Sequence, residues 1–363
     1  MKGILVLEDG SHYEGLYIGA KGERPGEVVL NTAVVGYQEI MTDSANAGKI
    51  LVLTYPLIGN YGMAGKFSES DKCLLNGLVI KEESRITSNW QSEEALGSFL
   101  KKEDIVAISE IDTRTVAVSI REKGEMLGIL SDNITGKVEL LKRLKDYKKN
   151  RKTQYIKKIS VKEVYECQKA PSGKRIGILD LGVLKDFIDQ LKNLGSNITL
   201  IPYNLDERDI LSLNLDGLII SNGPEEDDAV PQIVEMVRKL MGKLPVLGIS
   251  LGHEIIGLAL GAERRKMKVG HHGVNYPVSS YTSNNKGEIT VQNHSWVLDD
   301  ESIKEIDHIR ITSRNINDNS IEEMESGDLG FISAQYYPVS PGFNEVNDLF
   351  IRFFRIIDKR GNH

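Results

Sequence analysis

The stretch Pro245-Val246-Leu247-Gly248-Ile249-Ser250-Leu251-Gly252-His253-Glu254 constrains this chain more than any other. An apolar run of strand length ends in Gly-x-Ser-x-Gly, and a helical pattern follows from Leu251 to Leu260. A strand that feeds a helix through so tight a turn belongs to an α/β sheet. It holds one side chain, here Ser250, at the carboxyl end of a strand, with the next backbone N–H, that of Leu251, aimed at a developing oxyanion.

The period on either side agrees. Arg175–Asp180, Ile198–Pro202, Gly217–Asn222 and Val246–Ile249 read as strands, and Leu184–Leu194, Val230–Met241 and Leu251–Leu260 as helices. Strand–helix alternation predicts a parallel sheet with helices on both faces and ligands at the carboxyl ends of its strands. Asn222-Gly223-Pro224 and Ser250 fall at such ends, and Gly223 suits a close backbone approach. The earlier part reads differently. Short strand patterns at Gly3–Leu7, Glu27–Asn31, Lys49–Leu53 and Leu75–Ile80, and a helix over Ser92–Lys101, predict a separate α+β domain. At 363 residues the chain is long enough for two cores, expected over 1–150 and 172–363 with 151–171 as linker. Residues 142–158 carry nine Lys or Arg and read as a solvated helix end plus a surface connection; the alternative is a patch that meets an acidic partner.

Composition excludes several classes. The net charge is −7, with no basic stripe interleaved with aromatics, so nucleic acid is not an expected partner. Cys73 and Cys167 stand alone, which fits a reduced, cytoplasmic protein without disulfides or a zinc cluster, and no metal is expected. The apolar run after Met1 is too short for a signal peptide, and His253 and Glu254 break the most apolar region, so no membrane association is expected.

Strings in both halves resemble the small subunit of carbamoyl-phosphate synthetase, whose second domain is a class I glutamine amidotransferase. In the first half they are Asn31–Asp43, Leu53–Gly62, Ile111–Arg114 and Arg121–Gly124; in the second, Ser221–Pro224, Leu247–His253, Gly270–Gly273, Gln292–His294 and Ser340–Gly342. The resemblance implies a flavodoxin-like C-terminal domain. It implies glutamine hydrolysis by a Cys at the elbow, with a His as base and a Glu two residues beyond it as orienter. The ammonia would pass to a large subunit that binds ATP, Mg and bicarbonate, for pyrimidine or arginine biosynthesis. No cofactor is implied in this chain, and glutamine or another small ligand would occupy its pocket.

The sequence departs from that pattern at each catalytic position. Ser250 stands at the nucleophile position, Tyr337 at the base position and Val339 at the orienter position. The pocket positions also differ: Ala45 replaces a Ser, Glu225 a Gly, Glu254 a Gln, and Ser295-Trp296 a Gly-Phe pair, while Gly223, Leu251 and Asn293 complete the set. A serine hydroxyl is a useful nucleophile only when an adjacent base takes its proton. Tyr337 brings a phenol, a group that holds its own proton near neutrality, and Val339 can orient nothing. Glutaminase activity is therefore expected to be absent, leaving a silent subunit that stabilises, gates or regulates an ammonia-using partner.

Alternatives stay open at this level. Ser250 could work slowly with His294 as substitute base. The pocket lined by Glu225, Glu254 and Trp296 could serve as a sensor for a different, cationic ligand. Gly248-x-Ser250-x-Gly252 also fits serine hydrolases, with Asp299, Asp300 or Asp307 before His308, although no motif surrounds that His. His271-His272, adjacent on an expected strand, point to opposite faces and read as hydrogen-bonding rather than metal-binding. Phe331, Phe343, Phe350, Phe353 and Phe354 read as core and helix packing.

Overall fold

The computed structural model describes residues 2–132, 134, 136–281 and 286–361. It divides into two compact units: Met1–Thr153 with Lys268–His272, and Gln154–Met267 with Gly273–His363.

In the first unit, seven strands close into a barrel, in the order Lys2–Leu7, His12–Tyr17, Val106–Ser109, Gly77–Val79, Lys49–Leu53, Arg24–Asn31 and Met126–Ser131. Side chains alternate across each strand, and that sorts them. From the first strand, Leu5 and Leu7 join Val28, Ile50, Val52 and Ile108 in one buried cluster, which takes in Val116 and Ile120 of the helix Thr113–Lys123. Ile4 and Val6 point the other way, beneath Leu140 and Leu144 of the helix Lys137–Asn150. Those two leucines are four apart, so they share one helical face, while Lys142 and Arg143 between them are exposed. Arg143 reaches Glu23 and Lys148 reaches Glu8.

Two expectations shift here. The helix read over Ser92–Lys101 begins only at Leu96, because Glu93 and Glu94 give their backbone N–H groups to Met63. Residues 151–171, expected as a linker, carry a short helix, Tyr155–Ile159, and an edge strand, Tyr165–Gln168. The helix is fixed because Asp227 Oδ2 accepts from the N–H groups of Tyr155 (2.6 Å) and Ile156 (3.0 Å), and Ile156 is fully buried.

In the second unit, ten strands form one sheet among the described residues. Its parallel core runs Asn197–Pro202, Arg175–Asp180, Gly217–Ile220, Val246–Ile249 and Phe331–Ala334. Helices cover both faces, as the alternation predicted. Leu218 and Ile220 face Ile233, Val237 and Ile256, while Ile219 faces Phe187, Phe350 and Phe353. Beyond Phe331–Ala334 the sheet continues antiparallel through Ile321–Ser326 and Arg310–Asn315 to the long strands Arg264–Ser280 and Lys286–Leu298. Phe331, Phe350 and Phe353 are fully buried core residues, but Phe343 is 95% exposed. It lies in the turn after Gly342, outside any strand or helix that could press it inward. Among the described residues, no helix is long and apolar enough to cross a membrane.

Candidate functional site

The elbow forms where the glycines predict it. The strand Val246–Ile249 ends, Ser250 takes φ 54° and ψ −109°, and the helix Leu251–Leu260 begins. A non-glycine residue in that region is strained and persists only when its surroundings hold it. The Ser250 N–H donates to the Ala334 carbonyl at 2.7 Å, and its carbonyl accepts from His253 N–H at 2.9 Å. Gly252 is required: a Cβ there would sit 2.1 Å from the Ile220 carbonyl oxygen. Gly223 is likewise pressed against backbone, with a Cβ meeting the Leu181 carbonyl oxygen at 2.4 Å. The close approach that Gly223 allows is thus made to the backbone at Leu181 of the same chain.

The hydroxyl this turn presents is isolated. Ser250 is fully buried, and its Oγ has no hydrogen-bond partner among the described residues. Leu251, the next residue, is fully buried in the core beneath the elbow helix. His294, the substitute base considered above, is turned to other partners. Its Nδ1 meets the Trp296 carbonyl at 3.0 Å and its Nε2 meets Gln292 Oε1 at 3.0 Å. Tyr337 is 4% exposed and sits edge-on to Phe187, ring centroids 5.9 Å apart, with its N–H on the Val291 carbonyl. Val339 packs in the same apolar cluster. Tyr337 and Val339, expected at the base and orienter positions, thus lie respectively buried in and partly buried against that apolar cluster.

The hydrolase alternative is corrected by the same geometry. His308 lies at the surface and pairs with Asp328 at 2.8 Å, while Asp299 caps the helix Asp300–Lys304 and Asp300 pairs with Arg314. None of the three candidate carboxylates engages that His.

Glu225, Glu254, Ser295 and Trp296, expected at pocket positions, belong to a dense polar cluster in the second unit. Glu225 is 4% exposed, and its carboxylate accepts from Ser295 N–H (2.8 and 3.1 Å) and Trp296 N–H (3.0 Å). Glu254, fully buried, accepts from Arg264 Nη1 at 2.6 Å and from Gln335 Nε2 at 3.4 Å. Burial raises the Glu254 pKa, the charge of Glu225 raises it further, and Arg264 opposes both. The Arg264 guanidinium lies 4.6 Å from the centre of the Trp296 ring and also donates to the Glu225 carbonyl at 3.0 Å. Lys266 pairs with Glu226 at 2.7 Å, and Glu226 accepts the Trp296 indole N–H at 3.2 Å. A cationic guest was one expectation for these acidic residues. The cation that Glu254 holds is the chain's own Arg264. Asn293 is 7% exposed on the strand that carries Ser295 and Trp296.

In the first unit, Ala45 is buried on the short helical turn Ser44–Asn46, which Asp43 caps through the Ala45 N–H. His272 Nε2 meets Glu125 at 3.1 Å, which bears out its hydrogen-bonding role. Burial pushes Glu125 up, but His272 and the Gly270 N–H outweigh it and hold the carboxyl at about 2. Sequence reasoning missed Arg264, Gln335 and Glu226. The only signal was the basic run Arg264-Arg265-Lys266 just past the elbow helix.

Residues 5–130 match the family described as carbamoyl-phosphate synthase small chain, CPSase domain, and residues 178–355 match glutamine amidotransferase class-I. The carbamoyl phosphate synthase small chain of Clostridium acetobutylicum is 38% identical over 357 residues, covering 98% of this chain and 100% of that one. That of Caldanaerobacter subterraneus is 39% identical, covering 98% and 97%. The pyrimidine-specific small chain of Bacillus subtilis is 37% identical, covering 99% and 96%. With matching stretches in both units and relatives aligned end to end, the chain belongs to the carbamoyl-phosphate synthase small-chain family.

Proposed function

We propose that this chain is a small subunit of carbamoyl-phosphate synthase that no longer hydrolyses glutamine. It stabilises, gates or regulates a large, ATP-using subunit that draws on free ammonia. The observation that carries this reading is the buried, unpartnered Ser250 hydroxyl. An alcohol needs a base to take its proton as it attacks, and among the described residues this one has no hydrogen-bond partner. Losing one member of a nucleophile–base–orienter unit costs on the order of 10⁴–10⁶ in rate, and further losses add little. The replacements Tyr337 and Val339 pack as apolar core, so neither position offers a base.

The test is a purified complex of this chain with its large partner, supplied with ATP, bicarbonate and either glutamine or an ammonium salt. The expected result is carbamoyl phosphate from ammonium alone, with glutamate release no faster than in a blank without protein. Equal product from the two nitrogen sources would overturn the reading. Glutamate release that disappears in Ser250→Ala would overturn it in favour of slow serine chemistry.

A further inference from the structure

In the first unit the strands Arg24–Asn31, Lys49–Leu53, Gly77–Val79 and Val106–Ser109 pair in parallel, one beside the next. Their carboxyl ends therefore share one rim of the barrel. Thr32, Thr54, Lys81 and Glu110 each follow such an end by one or two residues, and all four line a cavity of about 1280 Å³. Loops after parallel strands converge in this way on ligands. The rim is fixed. Glu110 holds φ 60°, and its N–H donates to the Lys81 carbonyl at 2.8 Å. A non-glycine residue keeps that conformation only where its surroundings impose it.

One wall of the cavity is a helix face. Arg114, Ala117, Val118 and Arg121 line it at helical spacing along Thr113–Lys123. Val118, 48% exposed, places an apolar surface between the two arginines. Lys81 and Arg85 add charge from the segment after Gly77–Val79. All four cations are exposed, and none makes an ion pair among the described residues. Four carboxylates also border the cavity, but two are engaged elsewhere. Asp112 caps the helix through Thr115 N–H (3.2 Å) and Oγ1 (2.7 Å), and Glu83 turns to the Gly97 backbone. That leaves Glu82 and Glu110 against the four cations. A concave surface with excess positive charge focuses its field and draws in anions. Guanidinium forks match phosphate oxygens two at a time.

We propose that this cavity binds a small phosphorylated molecule, its phosphates held among Arg114, Arg121, Lys81 and Arg85 and its apolar part on Val118. Every residue involved belongs to the first unit, so the site stands whether or not Ser250 hydrolyses glutamine.

The experiment is calorimetric titration of the full chain, at low ionic strength and without divalent metal. The probes are pyrophosphate, citrate and a decaglutamate peptide. Pyrophosphate is expected to bind one-to-one with a dissociation constant below about 1 mM, and less tightly as sodium chloride is added. Arg114→Gln/Arg121→Gln is expected to weaken it by about tenfold or more. Lys142→Gln/Lys149→Gln removes two exposed charges from the helix Lys137–Asn150 and is expected to leave binding unchanged. If the arginine variant does not fold, Lys81→Gln/Arg85→Gln replaces it, with the same loss expected. The proposal is overturned if pyrophosphate does not bind, if the cavity variant binds it as the parent does, or if the Lys142→Gln/Lys149→Gln variant loses as much. Citrate binding as tightly as pyrophosphate would overturn the assignment to phosphate. Decaglutamate that binds more tightly and displaces pyrophosphate would overturn it in favour of a docking surface for an acidic polypeptide.

Discussion

Lowering the pH from about 6.5 to about 3 is expected to remove about 5 kcal/mol of unfolding free energy from the second unit through His253 alone. His253 stands one turn into the elbow helix, fully buried, with Nδ1 2.9 Å from Ser333 Oγ and no partner for Nε2. Burial pushes its pKa down to about 3. The sign follows from which state holds the proton. Below about 6.5 the unfolded chain binds a proton that the folded chain refuses until about 3. Each pH unit in that window therefore favours unfolding by about 1.4 kcal/mol. The stability is complete above the window and lost through it. His253→Asn keeps an N–H donor near Ser333 and does not titrate, so its stability lacks this slope. Urea midpoints at several pH values, followed through Trp296 in a Trp90→Phe background, would show the gap between parent and variant closing with acid. A gap that stays constant with pH would rule His253 out as the source. The comparison with the variant is needed because other groups titrate nearby. Glu254, with its pKa raised first by burial, contributes stability present at low pH and lost as pH rises. Glu125, held at about 2, acts in the same direction as His253, though in the first unit.

How far the sequence reached depended on the range of the interactions involved. The strands Arg175–Asp180 and Val246–Ile249 and the helix Leu251–Leu260 were legible to the residue, because apolar period and glycine punctuation are local. The closed barrel was not. Gly77–Val79 lies within the strand read at Leu75–Ile80, but Val106–Ser109 is only four residues long and pairs in parallel with that distant strand. Such strands carry little period of their own. The helix misread at Ser92 failed for a similar reason: the acidic residues that usually open a helix were engaged by Met63, about thirty positions away. In the site, the elbow at Ser250 was legible from its flanking glycines. That Tyr337 would pack on Phe187, and that Arg264 would reach back to Glu254 and Glu225, depended on contacts with residues ten or more positions away in the chain.

Arg264 is the residue whose loss the cluster is least able to absorb. Its side chain is 17% exposed, that of Glu254 is fully buried, and the pair are 2.6 Å apart. Removing one partner of a buried ion pair leaves the other charge without compensation and costs about 3–5 kcal/mol. Arg264→Met keeps most of the aliphatic stem against Trp296, so the loss reports the charge rather than a cavity. Glu254 can then escape only by taking a proton, and its pKa, already raised, moves further up. A carboxyl whose folded pKa lies above its unfolded value near 4.5 contributes fully below that value and loses its contribution as pH rises through the folded one. The deficit of Arg264→Met against the parent is therefore expected to be largest at alkaline pH and to shrink toward about pH 5, because the His253 term is common to both and cancels. Adding Glu254→Gln removes the stranded charge. The double variant is expected to recover the greater part of the loss, and its own stability lacks the slope that Glu254 gives the parent. If Arg264→Met costs the same at pH 5 and pH 8, and Glu254→Gln restores nothing, the guanidinium serves only to pack on Trp296, and the electrostatic account of this cluster is wrong.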